Sequence, residues 1–127
     1  MAIEDDCLAR ADANLALAKK LGAEGHYNWA VTLVFYAAVF DVNRMLARSK
    51  RYSDDEMDHP TRNAYVRDHH GAIDAAYGEL LGQSIKCRYF ASHQANQGSF
   101  DRQMRKYEIV RDYIDRALAG KIPGVSF

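Results

Sequence analysis

The stretch Trp29-Ala30-Val31-Thr32-Leu33-Val34-Phe35-Tyr36-Ala37-Ala38-Val39-Phe40-Asp41-Val42-Asn43-Arg44-Met45-Leu46 decides the fold. From Trp29 to Phe40 only Thr32 carries a polar group that is neither aromatic nor apolar. A bilayer crossing needs about 20 predominantly apolar residues, so the run is too short to span one. A helix that is apolar all round is a buried helix, and the pattern predicts the central helix of a bundle. Ala37 and Ala38 let a neighbouring helix come close, while Phe35, Tyr36, Val39 and Phe40 fill the space around them.

The flanking segments supply the rest of the bundle. Leu8, Ala11, Leu15, Ala18 and Leu21 recur at steps of three and four, predicting a first helix over Ile3–Leu21. Acidic residues at its start and Lys19 and Lys20 at its end suit the helix dipole. Gly22 and Gly25 break it, and so short a connection into a second helix over Tyr27–Arg48 makes the two antiparallel neighbours. The polar segment Ser49–Asp58 reads as a solvated loop. Pro60 suits a helix start with Asp58 or His59 as cap, and the pattern continues to Leu81 with Gly71 weakening its middle. Gly82 predicts a pause before a short helix over Ser84–Ala91, followed by a loop over Ser92–Gly98. Ser99 is placed to cap a last helix to Ala119, with Phe100, Met104, Tyr107, Val110, Ile114 and Ala117 on one face. Asp101 with Arg105, and Asp112 with Arg116, stand four apart as acid-before-base pairs. The expected fold is all-α: one domain over residues 1–127, an up-down four-helix-type bundle with an extra short helix.

Composition narrows the function classes. The chain has 127 residues, 17 basic and 17 acidic, so no broad electropositive field for nucleic acid is expected, only a local basic cleft. Cys7 and Cys87 lie far apart without metal-ligand spacing, as expected of reduced thiols in a cytoplasmic protein. Glu4, Asp5 and Asp6 at the start do not resemble a signal peptide, and no membrane segment is expected. No two of the five histidines stand four apart, and the two paired inward Glu-x-x-His motifs of a di-iron bundle are absent, so neither a metal nor another cofactor is expected. There is no Gly-x-Ser-x-Gly elbow and no phosphate-cradling glycine loop.

Polar residues instead gather at two helix boundaries. His59, Arg62 and Asn63 open the third helix, and Arg88, Tyr89 and His93 close the short one. Arg62 and Asn63 beside a positive helix N-terminus suit an anion. The alternative is structural: these residues cap and brace the bundle, with Arg88 paired to a carboxylate.

The order of these segments resembles the HEPN domain family. The run from Trp29 through Phe35-Tyr36-Ala37-Ala38-Val39-Phe40 is similar to that family's second helix, with Asp41 where the family usually has His. His59-Pro60-Thr61-Arg62-Asn63 resembles the His-x-x-Arg-Asn segment of a bacterial and archaeal subgroup, and Tyr77, Leu80, Ser84, Arg88 and Tyr89 match its later positions. The resemblance spans residues 8–118 and implies an up-down bundle that forms a homodimer. It also implies one of two functions. The first is a non-catalytic adaptor or binding module for a nucleotide, RNA, or a toxin–antitoxin or defence partner, with His59, Asn63 and Tyr89 as ligand-binding residues. The second is a metal-independent endoribonuclease using an Arg followed by four to six residues and a His, which here means Arg88 with His93 or Arg62 with His69. In that chemistry His transfers protons near neutral pH and Arg holds the phosphate. The eight tyrosines serve either reading, since they line dimer faces and stack on bases equally well.

Overall fold

A computed structural model describes residues 2–55 and 57–127, and among them only helices form. They are α1 (Ala2–Ala23), α2 (Tyr27–Arg48), α3 (His59–His69), α4 (Asp74–Tyr89) and α5 (Gln97–Leu118), with a 3-10 turn over Gly71–Ile73 between α3 and α4. The central position of α2 is observed: it packs on α1, α4 and α5 through Val31, Val34, Phe35, Ala37, Ala38, Val42 and Met45, all buried. By length and composition α2 is apolar enough to cross a membrane, with mean hydropathy 1.4, but 78% of that window is buried in the bundle.

The expectation that α2 is covered on every side is corrected. Trp29 is 63% exposed, and Leu33, Tyr36 and Phe40 are only half-buried. These four recur at steps of four, three and four, which is one helical stripe. Three partner helices cover the remaining faces, and this stripe is left partly open.

Three helices end on the same device. At the end of α1, Gly25 has φ 84°, and the His26 and Gly25 N–H groups donate to Leu21 and Gly22 carbonyls at 2.9 and 3.1 Å. At the end of α5, Gly120 has φ 72° and the same two bonds run from Lys121 to Arg116 and from Gly120 to Ala117. This is the Schellman arrangement, in which glycine takes the left-handed residue. At the end of α2 the position belongs to Lys50, φ 61°, with bonds from Arg51 to Leu46 and from Lys50 to Ala47 at 2.8 and 3.1 Å.

The middle of the chain departs from expectation. The helix from Pro60 does not run through to Leu81. It stops at His70, whose φ −139° and ψ 51° are not helical and whose ring is drawn between the Tyr113 and Tyr65 hydroxyls at 2.8 and 3.0 Å. Gly82 in turn breaks nothing: α4 is continuous to Tyr89, because its buried face of Ala76, Tyr77, Leu80 and Ser84 outweighs the roughly 1 kcal/mol a helical glycine costs. The last helix starts earlier than expected. Asn96 is its cap, accepting from the Ser99 N–H at 2.9 Å, while the Ser99 hydroxyl accepts from the Asn96 N–H. Asp101 accepts from Gln97 at 2.8 Å rather than pairing with Arg105, whereas Arg116 does pair with Asp112 at 3.0 Å.

A buried polar brace ties α2 to α5. Asp41 is 0% exposed and accepts from the Tyr107 hydroxyl at 2.6 Å and from Arg44 at 2.9 Å. Arg44 also reaches Asp115 at 2.9 Å, and Arg111 joins Tyr107 to Asp12 of α1. A buried carboxylate is tolerable only with such partners. Burial nonetheless pushes the Asp41 carboxyl above its ordinary range, against the pull of Tyr107 and the two arginines.

Candidate functional site

The first turn of α3 fixes the candidate site. The Asp58 carboxylate accepts from the Thr61 N–H at 2.8 Å and Pro60 fills the opening turn, so the chain enters the helix at a set angle. His59 and Arg62 are three residues apart in this helix and therefore neighbours on one face. The Arg62 Nη1 lies 3.2 Å from His59 Nδ1, and its Nε donates to the Asn43 side-chain oxygen of α2 at 3.0 Å. The His59 ring packs on Phe35 and Tyr36, with centroids 5.6 and 6.3 Å away.

Tyr36 carries the site across to α4. Arg88 donates from Nη1 to the Tyr36 hydroxyl at 2.9 Å and lies over the Tyr36 and Tyr89 rings at 5.4 and 5.2 Å. Its remaining bonds go to the Ser84 carbonyl and hydroxyl one turn earlier, both at 3.1 Å. Tyr36, Asn43, His59 and Arg62 line a cavity of about 410 Å³, together with Tyr52 and Met57 from the loop before α3. Asp54 and Asp58 line it too, Asp54 accepting from the Tyr52 hydroxyl and Asp58 capping the helix.

Two features give this cleft its chemistry. Among the described residues neither Arg62 nor Arg88 has a carboxylate within the 4.0 Å of an ion pair, whereas Arg44, Arg48, Arg67, Arg102, Arg111 and Arg116 each do. The expected pairing of Arg88 with a carboxylate is therefore corrected: its partners are a tyrosine, a serine and a backbone carbonyl. Secondly, His59 is held in its neutral form, its pKa lowered by burial first and by the Arg62 and Arg88 charges next. An arginine N–H can only donate, so His59 Nδ1 is the acceptor and the ring proton sits on Nε2. The cleft thus offers the Arg62 guanidinium, an imidazole N–H and the positive end of α3, with the Arg88 guanidinium bonded to its Tyr36 wall.

The other residues singled out in the sequence fall elsewhere. Arg62 and His69 occupy opposite ends of α3, about 10.5 Å apart along its axis at seven residues' separation. His69 accepts instead from Arg51, at 2.9 Å. His93 lies beyond the end of α4 in a loop pinned by Asn28, which donates to the His93 carbonyl at 3.1 Å and accepts from the Ala95 N–H at 2.7 Å. Among the described residues no hydrogen bond joins the His93 ring to Arg88, and its Nε2 is buried without a partner. Asn63 is half-buried with its side-chain oxygen unpartnered, and it is not among the residues that line the cavity. Tyr89 is exposed over Arg88.

Sequence reasoning missed Tyr36 and Asn43 as site residues, because in the sequence they read as part of a wholly buried helix. The signal was the spacing: Asn43 stands one more step of three beyond Phe40, although there the stripe is already buried. Among the described residues no group of three or more His, Cys, Asp or Glu side chains is placed to hold a metal ion. Comparison with protein families, with curated proteins and with solved structures finds no match to this chain.

Proposed function

We infer that this chain is an HEPN-like helical domain acting as a dimeric, non-catalytic binding module, which holds a phosphate group of a nucleotide or RNA in the His59–Arg62–Arg88 cleft. The observation that carries the reading is that, among the described residues, neither Arg62, which lines the cavity at the α3 N-terminus, nor Arg88, which bonds the cavity-lining Tyr36, has a carboxylate in ion-pair range. Six of the eleven arginines pair with Asp or Glu; among the described residues Arg62 and Arg88 are two of the five that do not, and their linkage through His59 and Tyr36 suits an external anion. Tyr36 and Tyr52 on the cavity wall suit a flat base next to that phosphate. The exposed side chains Trp29, Tyr89 and Phe90 are the apolar surface we assign to the second copy, or to a toxin–antitoxin or defence partner.

The endoribonuclease alternative has less support. His59 offers no free lone pair for taking a proton while Arg62 donates to Nδ1, and its lowered pKa works against an imidazolium acid. The Arg62–His69 and Arg88–His93 pairs are each divided between different surroundings.

The test is a titration of labelled single-stranded RNA and of mononucleotides against the wild type, Arg62→Gln and Arg88→Gln, with an EDTA-containing portion run on a gel. We expect each substitution to weaken binding by about tenfold or more, as loss of charge-assisted hydrogen bonds implies, with the RNA intact. Binding unchanged in both variants refutes the cleft. Cleavage in EDTA that disappears in Arg88→Gln or His93→Gln replaces the binding module with the nuclease. Sedimentation velocity tests the assembly: a dimer that Trp29→Asp converts to a monomer is expected, and a wild-type monomer rejects it.

A further inference from the structure

A further cavity, of about 420 Å³, opens beside the His59–Arg62 cleft. The two share Phe40, Tyr52 and Asp54 as walls, so they are compartments of one groove. Asp6, Cys7 and Arg10 of α1 form the far wall. Cys7 is 4% exposed, and its thiol is pushed up to about 11, by burial first and by the charges of Asp54 and Asp6 next. Both carboxylates therefore lie near it, in the same compartment.

Asp6 and Arg10 stand four residues apart on α1, neighbours on one face and about 6 Å apart along the axis. Among the described residues neither has an ion pair within 4.0 Å; the Arg10 guanidinium lies over the Phe40 ring at 5.8 Å instead. Side by side they offer carboxylate acceptors and then guanidinium donors. Guanine is the one RNA base whose pairing edge carries two adjacent donors, N2–H and N1–H, followed by an acceptor, O6. Adenine and cytosine set an acceptor next to a single donor group, and uracil sets its donor between two acceptors. Each of those three turns an acceptor toward a carboxylate that can only accept.

Between the two ends stands Asp54, on the wall common to both compartments. Its Oδ1 accepts from the Tyr52 hydroxyl, which leaves Oδ2 for a ribose hydroxyl. The order along the groove is thus arginine with imidazole, then a carboxylate, then a carboxylate with arginine. That is the order of phosphate, sugar and guanine in a nucleotide. The opposing influence is repulsion between the phosphate and the carboxylates, which salt screens over about 10 Å at 0.1 M. Charge-assisted hydrogen bonds to the base act at contact and are the larger effect.

We propose that the groove selects a guanine nucleotide, with the phosphate at His59 and Arg62, the ribose at Asp54 and the base at Asp6 and Arg10. The inference rests on the phosphate-binding reading of the cleft and adds the base that the cleft's ligand carries.

The test is calorimetric titration of the full chain with guanosine, adenosine and xanthosine monophosphates and with inorganic phosphate. Wild type should bind the guanine nucleotide about tenfold or more tighter than the adenine one, the discrimination expected of a bidentate base contact. Arg10→Gln should narrow that ratio. Asp6→Asn should abolish it and instead favour xanthosine monophosphate, whose 2-oxygen accepts from an amide where guanine's amine donates to a carboxylate. A merely structural role for Asp6 gives no such exchange of preference. Arg62→Gln should weaken all the nucleotides alike. Equal affinity for guanine and adenine nucleotides, both weakened by Arg62→Gln, overturns the base site and leaves the phosphate cleft standing. A guanine preference that survives Asp6→Asn overturns it too. Absence of binding by every nucleotide and by phosphate removes the cleft and the base site together.

Discussion

Replacing Tyr107 with Phe removes one oxygen from the brace between α2 and α5 and changes almost nothing else. The lost hydroxyl donates to Asp41, a fully buried carboxylate, at 2.6 Å and accepts from Arg111 at 2.8 Å. Arg111 keeps Asp12 and Asp115, so its loss is small. Asp41 keeps Arg44 on one oxygen, but its other oxygen is left with Arg111 at 3.7 Å, beyond hydrogen-bond range. The cost is that of one buried hydrogen bond to a charged group, about 2–3 kcal/mol. With about 2.1 cal/mol/K of unfolding entropy per residue over 127 residues, that lowers Tm by about 7–11 °C. Tyr113→Phe is the control, since its hydroxyl meets the neutral ring of His70 at 2.8 Å and is worth about 1 kcal/mol. Scanning calorimetry and urea unfolding on both variants read the difference. The penalty for Tyr107→Phe should also shrink as pH falls and Asp41, whose pKa burial already raises, becomes protonated. A Tyr107→Phe protein within 0.5 kcal/mol of wild type, or no worse than Tyr113→Phe, would refute the charge-assisted brace.

Three further outcomes follow from the same geometry. Lys50→Gly should stabilise the fold by roughly 0.5–1 kcal/mol in urea unfolding, because relief of the left-handed strain exceeds the entropy glycine adds to the unfolded chain; Lys50→Ala should not. Burial lowers the pKa of His59 and His70, so the unfolded chain takes up protons first: stability is level above the unfolded value near 6.5 and declines as pH falls below it, until the folded values are passed. A Tm series from about pH 8 to 5.5 should show that decline flattened in His70→Gln, and an unaltered slope in the variant would count against it. Asn96→Ala should cost about 1 kcal/mol through loss of the α5 cap, with Asn96→Ser recovering most of it in the same unfolding assay.

The run from Trp29 to Leu46 was enough to place α2 at the centre of an all-helical bundle, and Gly25 marked its boundary with α1, whereas Gly22, also read as a breaker, lies inside α1. Periodicity works there because a buried stripe imposes its spacing directly on the residue types. It failed at His70 and Gly82 for a shared reason. Whether a helix stops depends on what the broken or continued backbone gains elsewhere: two tyrosine hydroxyls reward His70 for leaving the helix, and the packed face of α4 outweighs a glycine that touches nothing. Tyr65 is local, but Tyr113 lies 43 residues from His70, and the helices on which α4 packs are likewise remote from Gly82 in the sequence.

The candidate site divides along the same line. The sequence by itself determined that His59 and Arg62 share a helix turn, since three residues' separation is a fixed angle on a helix, and it singled out Arg88 as a basic residue at a helix end. Only the tertiary structure decided that Arg88 meets the His59–Arg62 pair through Tyr36, that Asn43 positions Arg62, and that His69 belongs with Arg51 in another cavity. Spacing along one chain fixes which side chains share a face. Which faces meet depends on how three helices pack, and that is settled by the summed burial of residues far apart in the sequence.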